Sequence, residues 1–403
     1  MRIVQINSTS NWGSTGRIAE GIGKLIIAQG WESYIAFGRY ENPSSSVTIK
    51  IGSKLDSFLH GILSRISDRS GFYSRRATAE FLKQLDVIKP DIIHLHNIHG
   101  YYINIEMLFD YIKSNNIKVV WTLHDCWSFT GHCAYFEYVG CEKWRDRCSS
   151  CPQKRTYPVS FVLDNSAQNY DDKKRLFSFV DDLTLVPVSN WLKGLVGSSF
   201  LGGYSVKMIH NGIDLNQFKP TDSDLKVKYN ILDKRVVLGV ASIWEERKGL
   251  SDFVELSKQL DDNSVVVLIG VSKKDKKRLP DNIIALERTN STLELAEWYS
   301  VADVFLNLTY EDNFPTTNLE ALACGTPVIT YKTGGSVESI DQSCGIVVKK
   351  GDIEAVCAAI NTIYHLSKEE LSARCRERAE LNFDRDDRFG DYIKLYKEKL
   401  KID

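Results

Sequence analysis

The chain has 403 residues, of which 43% are hydrophobic and 26% charged, and its 51 Lys and Arg nearly balance its 52 Asp and Glu. That length accommodates two domains of ordinary size, and a formal charge of −1 gives no reason to expect nucleic acid or an acidic polymer as partner. No apolar run reaches the length of about 18 residues that a membrane span needs and no signal peptide precedes the strand-like MRIVQIN, so a cytoplasmic location is expected, with the nine cysteines as reduced thiols.

Arg2 to Ile6 is a short β-branched run of strand type, and the polar NSTSNWGSTG that follows opens into an amphipathic helix. A strand, a glycine turn and a helix start form a generic anion cradle. Gly13 and Gly16 do not complete a G-x-G-x-x-G row, which disfavours a dehydrogenase. Ser53 to Ile66 puts Leu55, Phe58, Leu59, Ile62, Leu63 and Ile66 at helical spacing. Arg65, Arg69, Arg75 and Arg76 lie around Phe72 and Tyr73 just beyond. Such a stripe is more often core than membrane contact, yet beside a basic aromatic segment it also suits an anionic leaflet and a lipid-linked acceptor.

Asp91 to Asn97 (DIIHLHN) and Lys118 to Asp125 (KVVWTLHD) read as buried strands. Their carboxyl ends carry His94, His96, His124 and Asp125, where side chains can point into a cleft. A turn-rich segment then presents Cys133, Cys141, Cys148 and Cys151, ending in Cys-x-x-Cys. Four thiolates in a reduced compartment suit a structural zinc that leaves no open position for catalysis, with His132 as a substitute ligand. A redox pair and a set of buried thiols are the other readings of the same residues. Leu185 to Asn190 reads as the end of the first sheet.

In the second half, Asn211-Gly212 within VKMIHNGIDLNQFKP is expected to form a positive-φ turn. Val236 to Ala241 and Ser264 to Gly270 read as strands, with Lys248-Gly249 in the loop and helix after the first, and Asn290 to Asp303 reads as a helix. Val304 to Leu308 is a strand leading through an acidic loop, Glu311 to Pro315, into a short helix near Thr316. Gly325 and Pro327 end that helix before a strand at Val328 to Tyr331. Ligands in open α/β sheets bind where such loops leave the strands, and the loop with its helix start offers N–H groups to a phosphate or a sugar hydroxyl. Asp312 and Glu320, with seven residues between them, can face one pocket. Asp386 to Leu400 reads as a charged amphipathic helix.

Asp312, seven residues, Glu320, then Ala321, Ala323, Cys324, Gly325, Pro327 and Val328 together resemble the nucleotide-sugar signature of the retaining group 1 glycosyltransferases, the family of many bacterial capsule and lipopolysaccharide transferases. Asn211, Gly212, Asp214, Phe218, Pro220 and the Lys248-Gly249 pair match the same family. The resemblance implies an α/β GT-B fold of two facing Rossmann-like domains with a donor cleft between them. Residues 1–200 would form the acceptor domain, with a Cys-rich insertion at 126–158, and 201–384 the donor domain, with 385–403 a helix crossing back to the first. It implies transfer of a sugar from a UDP- or GDP-sugar to a glycan acceptor, lipid-linked, at the inner leaflet of the cytoplasmic membrane, in surface polysaccharide synthesis and without a catalytic metal. Gly13, Ser14, Thr15 and Gly16 would face the donor diphosphate, and Arg247, Lys248, Asn313, Phe314, Pro315, Thr316 and Thr317 would complete the donor site. Lys248 would neutralise the diphosphate, Asp312 hold the sugar hydroxyls, Glu320 grip the ribose and His124 line the reacting face. Two departures stand out: Asp312 replaces the first glutamate, and Ile243 stands where a partner arginine belongs, leaving Arg247 as the candidate for that role. A non-catalytic glycan-binding subunit, or an epimerase or phosphorylase of the same fold, are the alternatives these departures leave.

Overall fold

A computed structural model describes residues 1–402 and resolves into two units, Met1–His210 with the chain from Asp386, and Asn211–Arg385. The first holds β1 (Arg2–Asn7), β2 (Glu32–Phe37), β3 (Val47–Lys50), β4 (Ile92–Leu95), β5 (Lys118–Leu123), β6 (Leu183–Pro187) and β7 (Ser205–Val206). They pair in parallel in the order β3-β2-β1-β4-β5-β6-β7. The central strands are apolar along nearly their whole length because helices cover both faces of a parallel sheet. Strand order reverses between β1 and β4, and the register Ile6↔Leu95 and Leu95↔Trp121 sets the carboxyl ends of β1, β4 and β5 side by side. That is the place where such sheets bind ligands.

This sheet runs one strand further than the sequence suggests. β7 pairs with β6, and Lys207 N and Ile209 N donate to Leu185 O and Pro187 O at 3.0 and 3.2 Å. The first unit therefore extends to His210, past the boundary expected at residue 200. Two residues of strand are too few to show any hydrophobic period.

The C-terminal helix, Arg385–Leu400, completes the core of the first unit. Phe389, Tyr392, Ile393, Leu395 and Tyr396 pack with Ile3, Ile18, Ile22, Ile92, Val120 and Val186. Gly21 makes room for them, since a Cβ there would stand 2.2 Å from Phe389 Cε2. The inward side of this helix also carries polar contacts. The Tyr392 hydroxyl accepts from Thr122 Oγ1 at 3.0 Å, and the Tyr396 hydroxyl meets His94 Nδ1 at 2.6 Å.

The second unit holds β8 (Arg235–Val240), β9 (Ser264–Ile269), β10 (Ile283–Leu286), β11 (Val304–Asn307), β12 (Val328–Tyr331) and β13 (Gly345–Val348), again parallel, in the order β10-β9-β8-β11-β12-β13. Its order reverses between β8 and β11, which pair at Phe305↔Leu238. The turn expected at Asn211-Gly212 is absent: neither residue has a positive φ. The chain runs extended there, with Ile213 N donating to Phe383 O at 2.8 Å and Arg385 N to Ile213 O at 3.0 Å. Asparagine serves by its side chain instead, donating Nδ2 to Phe314 O at 3.3 Å. Among the described residues no helix is long and apolar enough to cross a membrane.

Candidate active site

In the second unit the loop after β8 turns at Glu246–Lys248 and passes through Gly249 with φ 74°. A Cβ on Gly249 would lie 2.2 Å from Leu308 O, so only glycine lets this turn close onto the end of β11. Tyr310 N and Thr309 Oγ1 then donate to Arg247 O at 2.8 and 3.2 Å. That closure brings Lys248 Nζ to 2.7 Å from Asp312 Oδ2, in a pair whose side chains are 22% and 17% exposed. Of the two adjacent acids, Asp312 is the one that meets the lysine. Arg247 Nε donates to Glu245 Oε2 at 2.9 Å and its Nη1 to Glu311 O at 3.4 Å, while Ile243 is 67% exposed.

Asn313, Phe314 and Pro315 are buried as the chain descends from this loop into the helix Thr316–Ala323, whose start no side chain caps. Thr316 and Thr317 form its half-buried first turn. One turn further, Glu320 Oε2 accepts from the buried Tyr299 hydroxyl at 2.8 Å. Burial, then the carboxylate's charge and hydrogen bond, push the Tyr299 hydroxyl well above its ordinary pKa, so it stays a donor. Gly335 N donates to Asp312 O at 3.3 Å, tying the glycine loop after β12 to the acidic loop.

In the first unit the strand ends carry a relay of imidazoles. Gln5 Nε2 donates to Ala19 O at 2.8 Å, which fixes its amide and leaves Oε1 to accept from His96 Nε2 at 3.1 Å. His96 Nδ1 is then an acceptor, and His124 Nε2 donates to it at 3.1 Å. Neutral rings satisfy this pattern. Burial holds His96 well below the ordinary histidine range and lowers His124 to about 4. His94 is neutral for the same reason, lying between Tyr396 and Thr122 at 2.6 and 2.8 Å. Next to His124, Asp125 Oδ2 meets His99 Nε2 at 2.8 Å and its Oδ1 accepts from Trp127 N at 2.9 Å. Burial opposes the Asp125 charge, but His99 and the Trp127 N–H outweigh it and hold the carboxyl below its usual range. His96, Asn97, His99, His124, Asp125 and Trp127 line one small cavity.

The polar loop after β1 lies in the same unit. Gly13, Ser14, Thr15 and Gly16 form the first turn of the helix Gly13–Ala28 rather than a free loop. Gly13 has φ 67°, and a Cβ on Gly16 would stand 2.7 Å from Thr9 Oγ1. Asn7 links this turn to the imidazole strand by donating to Thr15 Oγ1 at 3.3 Å and accepting from Asn97 N at 3.3 Å.

Residues 222–382 match the family described as "Glycosyl transferases group 1". This chain carries a group 1 glycosyl transferase domain. It is 24% identical over 368 residues to the putative colanic acid biosynthesis glycosyl transferase WcaC of Escherichia coli K12, spanning 88% of each chain. It is 26% identical over 202 residues, 47% of this chain and 53% of the other, to the N,N'-diacetylbacillosaminyl-diphospho-undecaprenol alpha-1,3-N-acetylgalactosaminyltransferase of Campylobacter jejuni. Among solved structures it is similar to sucrose-phosphate synthase of Thermosynechococcus elongatus, with TM-score 0.72, 16% identity and 99% of both chains covered. It is also similar to the Anabaena protein HepE in complex with UDP, with TM-score 0.68, 13% identity and 98% and 99% of the chains covered. Together these likenesses give the chain the two-domain GT-B fold.

Among the described residues no group of three or more His, Cys, Asp or Glu side chains is arranged to hold a metal ion, so the zinc site expected of Cys133, Cys141, Cys148 and Cys151 finds no support. All nine cysteines are free thiols. The four of this segment line one cavity with His132, but they are used differently: Cys133 and Cys151 hydrogen-bond to each other, and Cys148 accepts from the Gly131 backbone. His132 turns its Nδ1 to Asp68, both side chains almost fully buried. Lys173 Nζ donates to Trp127 O and Thr130 O at 2.8 and 3.0 Å. Phe129, Phe136 and Trp144 supply the apolar filling, with ring centroids 5.1 to 6.4 Å apart. The segment is thus pinned by a small aromatic core and two buried ionisable anchors.

Neither His99 nor Tyr299 belongs to the site residues expected from the sequence. His99 lies in HNIHG beyond β4, and the cluster of three histidines in HLHNIH was the available signal. For Tyr299 there was none, because its role depends on Glu320 from another helix.

Proposed function

We propose that this chain is a retaining glycosyltransferase that moves a sugar from a nucleotide diphosphate, UDP or GDP, to a lipid-linked glycan acceptor in surface polysaccharide synthesis. The Lys248–Asp312 pair at the carboxyl ends of β8 and β11 carries this reading. A departing nucleoside diphosphate needs a cation and oriented N–H groups, and Lys248 with the uncapped start of the helix Thr316–Ala323 supplies both. Asp312 holds that lysine in place. On binding, the diphosphate takes over Lys248 and Asp312 turns to the sugar hydroxyls, with Glu320, steadied by Tyr299, accepting from the ribose. Neutral His124 lines the reacting face of the sugar as a hydrogen-bonding group rather than a nucleophile. The leaving phosphate takes the acceptor proton on the same face, which retains configuration and needs no divalent metal. Gly13 to Gly16 contact the diphosphate from the first unit, and the reaction takes place in the cytoplasm, where nucleotide sugars are available.

The relatives support this reading by name: one is a polysaccharide transferase, one acts on a diphospho-undecaprenol, and a structural neighbour was solved with UDP. The test is to supply a panel of UDP- and GDP-sugars with polyprenyl-diphosphate glycans and read the anomeric configuration of the product by NMR. Product of inverted configuration, or activity abolished by a chelator, overturns the mechanism. One observation favours a second reading, a donor-binding subunit without activity: Ile243 stands exposed where the family has an arginine, and Arg247 is engaged with Glu245. Slow hydrolysis of the donor without acceptor would exclude that reading.

A further inference from the structure

The helix Lys54–Ser67 is packed the reverse way round from an ordinary surface helix. His60, Gly61 and Ser64 face inward. Leu55, Phe58, Leu59, Ile62, Leu63 and Ile66 face outward and are 37% to 63% exposed. This rotation is fixed rather than accidental. His60 Nδ1 meets Ser74 Oγ at 2.8 Å, its Nε2 accepts from Gly71 N at 3.2 Å, and Ser53 and Asp56 close a capping box at the helix start. Turning the stripe inward would break both His60 hydrogen bonds.

A second element widens the face. Phe161 N and Leu163 N donate to Arg65 O and Ile66 O at 2.7 and 3.0 Å, which lays Phe161, Val162 and Leu163, 50% to 61% exposed, along the end of the helix. Soluble proteins expose such residues singly, and a contiguous apolar face of this kind marks an interaction surface. Its charged surroundings are one-sided. Lys54, Arg65, Arg76 and Arg155 are exposed around it, and Lys154 Nζ sits 3.2 Å from Val162 O. The five cations outnumber the nearby acids, which are Asp56 in the capping box, Asp68 paired with the buried His132, and Asp164 bonded to Ser166 and Cys151 N.

We propose that this face lies in the surface of an anionic lipid bilayer, its leucines and phenylalanines at the acyl boundary and its lysines and arginines among the headgroups. A second copy of the chain would cover the apolar stripe as well, but a two-fold pairing of this patch sets cations against cations. The proposal rests on the surface of the first unit alone and holds whether or not the chain transfers sugars.

The test is co-sedimentation of the full chain with vesicles of phosphatidylcholine alone and with about one part phosphatidylglycerol to three of phosphatidylcholine. The chain should pellet with the anionic vesicles and much less with the neutral ones, and high salt should release it. The variant Phe58→Ser/Leu59→Ser/Phe161→Ser should bind at least about tenfold more weakly. Lys54→Gln/Lys154→Gln/Arg155→Gln should lose roughly a hundredfold, about fivefold for each cation removed. Both variants alter surface side chains, all exposed but the half-buried Lys154, and should keep the parent's melting temperature. As a measurement independent of any variant, anionic vesicles should slow amide exchange in residues 54–67 and 159–164 of the parent chain. The proposal falls if the parent ignores anionic vesicles, if the apolar variant pellets as the parent does, or if the patch proves to be a dimer contact dispersed by that variant.

Discussion

Lys248 and Asp312 hold each other in an ion pair, and each is only partly shielded from water. A surface pair of this kind adds little stability, so its value lies in keeping an ammonium aimed at the site. Lys248→Ala should therefore leave the fold intact and reduce turnover by about a hundredfold or more, with the loss larger in kcat than in donor affinity. Equal turnover of variant and parent would remove Lys248 from the reaction. The imidazoles make a prediction of opposite kind, about stability. His124 has a folded pKa near 4 and His60 near 3, against about 6.5 in an unfolded chain, and His94 and His96 are lowered too. In that window the unfolded chain binds more protons, so stability falls as the pH drops below the unfolded value. Each such ring should withdraw up to about 1.4 kcal/mol per pH unit until its folded pKa is passed. Melting temperatures measured between pH 7 and 5 should fall steadily, and a flat profile would mean that the rings are not buried neutral. At this scale Asp312 and Glu320 were visible through their local spacing, and Lys248 through the Lys-Gly pair that matches the resembled family. Tyr299, which holds Glu320, comes from another helix, and the His96–His124 relay of the first unit is joined across two strands, so neither pairing left a spacing to read.

Among the elements, the turn at Gly249 and the Cys-rich segment show how far pattern reaches. Gly249→Ala adds a Cβ that would meet Leu308 O at 2.2 Å in a positive-φ conformation, whereas a Cβ on Gly203 meets nothing within 4 Å. Gly249→Ala should cost about 1–3 kcal/mol and weaken donor binding by shifting Lys248, with Gly203→Ala near neutral in both assays. The Cys-rich segment read as a zinc tetrad because Cys-x-x-Cys is a common half-site. What organises it is Asp68, far back in the chain, which takes His132, together with Lys173 from a later helix. Long-range choices of that kind are invisible to local spacing. The thiol pair that results is testable: the Cys133 hydrogen bond lowers Cys151 to about 7, while burial raises Cys148 to about 11. Iodoacetamide at neutral pH should label Cys151 well before Cys148, and Cys133→Ala should slow that labelling by raising the Cys151 pKa. Labelling of both at one rate would contradict the pairing. The helix Lys54–Ser67 is the counterpart case, since its apolar stripe was plain in the sequence and only its outward direction was not.

For the molecule as a whole, the parallel sheets were legible because continuous apolar strands followed by helices admit few other architectures. The short β7 and the resulting position of the boundary at His210 were not. The C-terminal helix makes the sharpest test of this division, because Phe389 packs against Gly21 and the contacts of its cluster all belong to the first unit. Phe389→Ala should leave a cavity costing about 3–5 kcal/mol. In a chain of two units a single unfolding free energy is not defined, so the loss should be read by amide exchange, peptide by peptide. Protection in β1, β4 and β5 should drop while that in β8, β11 and β12 stays at the parent's level, because no residue of the second unit belongs to the damaged cluster. Equal loss in both sheets would show that they unfold together and that the helix stabilises the chain as one cooperative body.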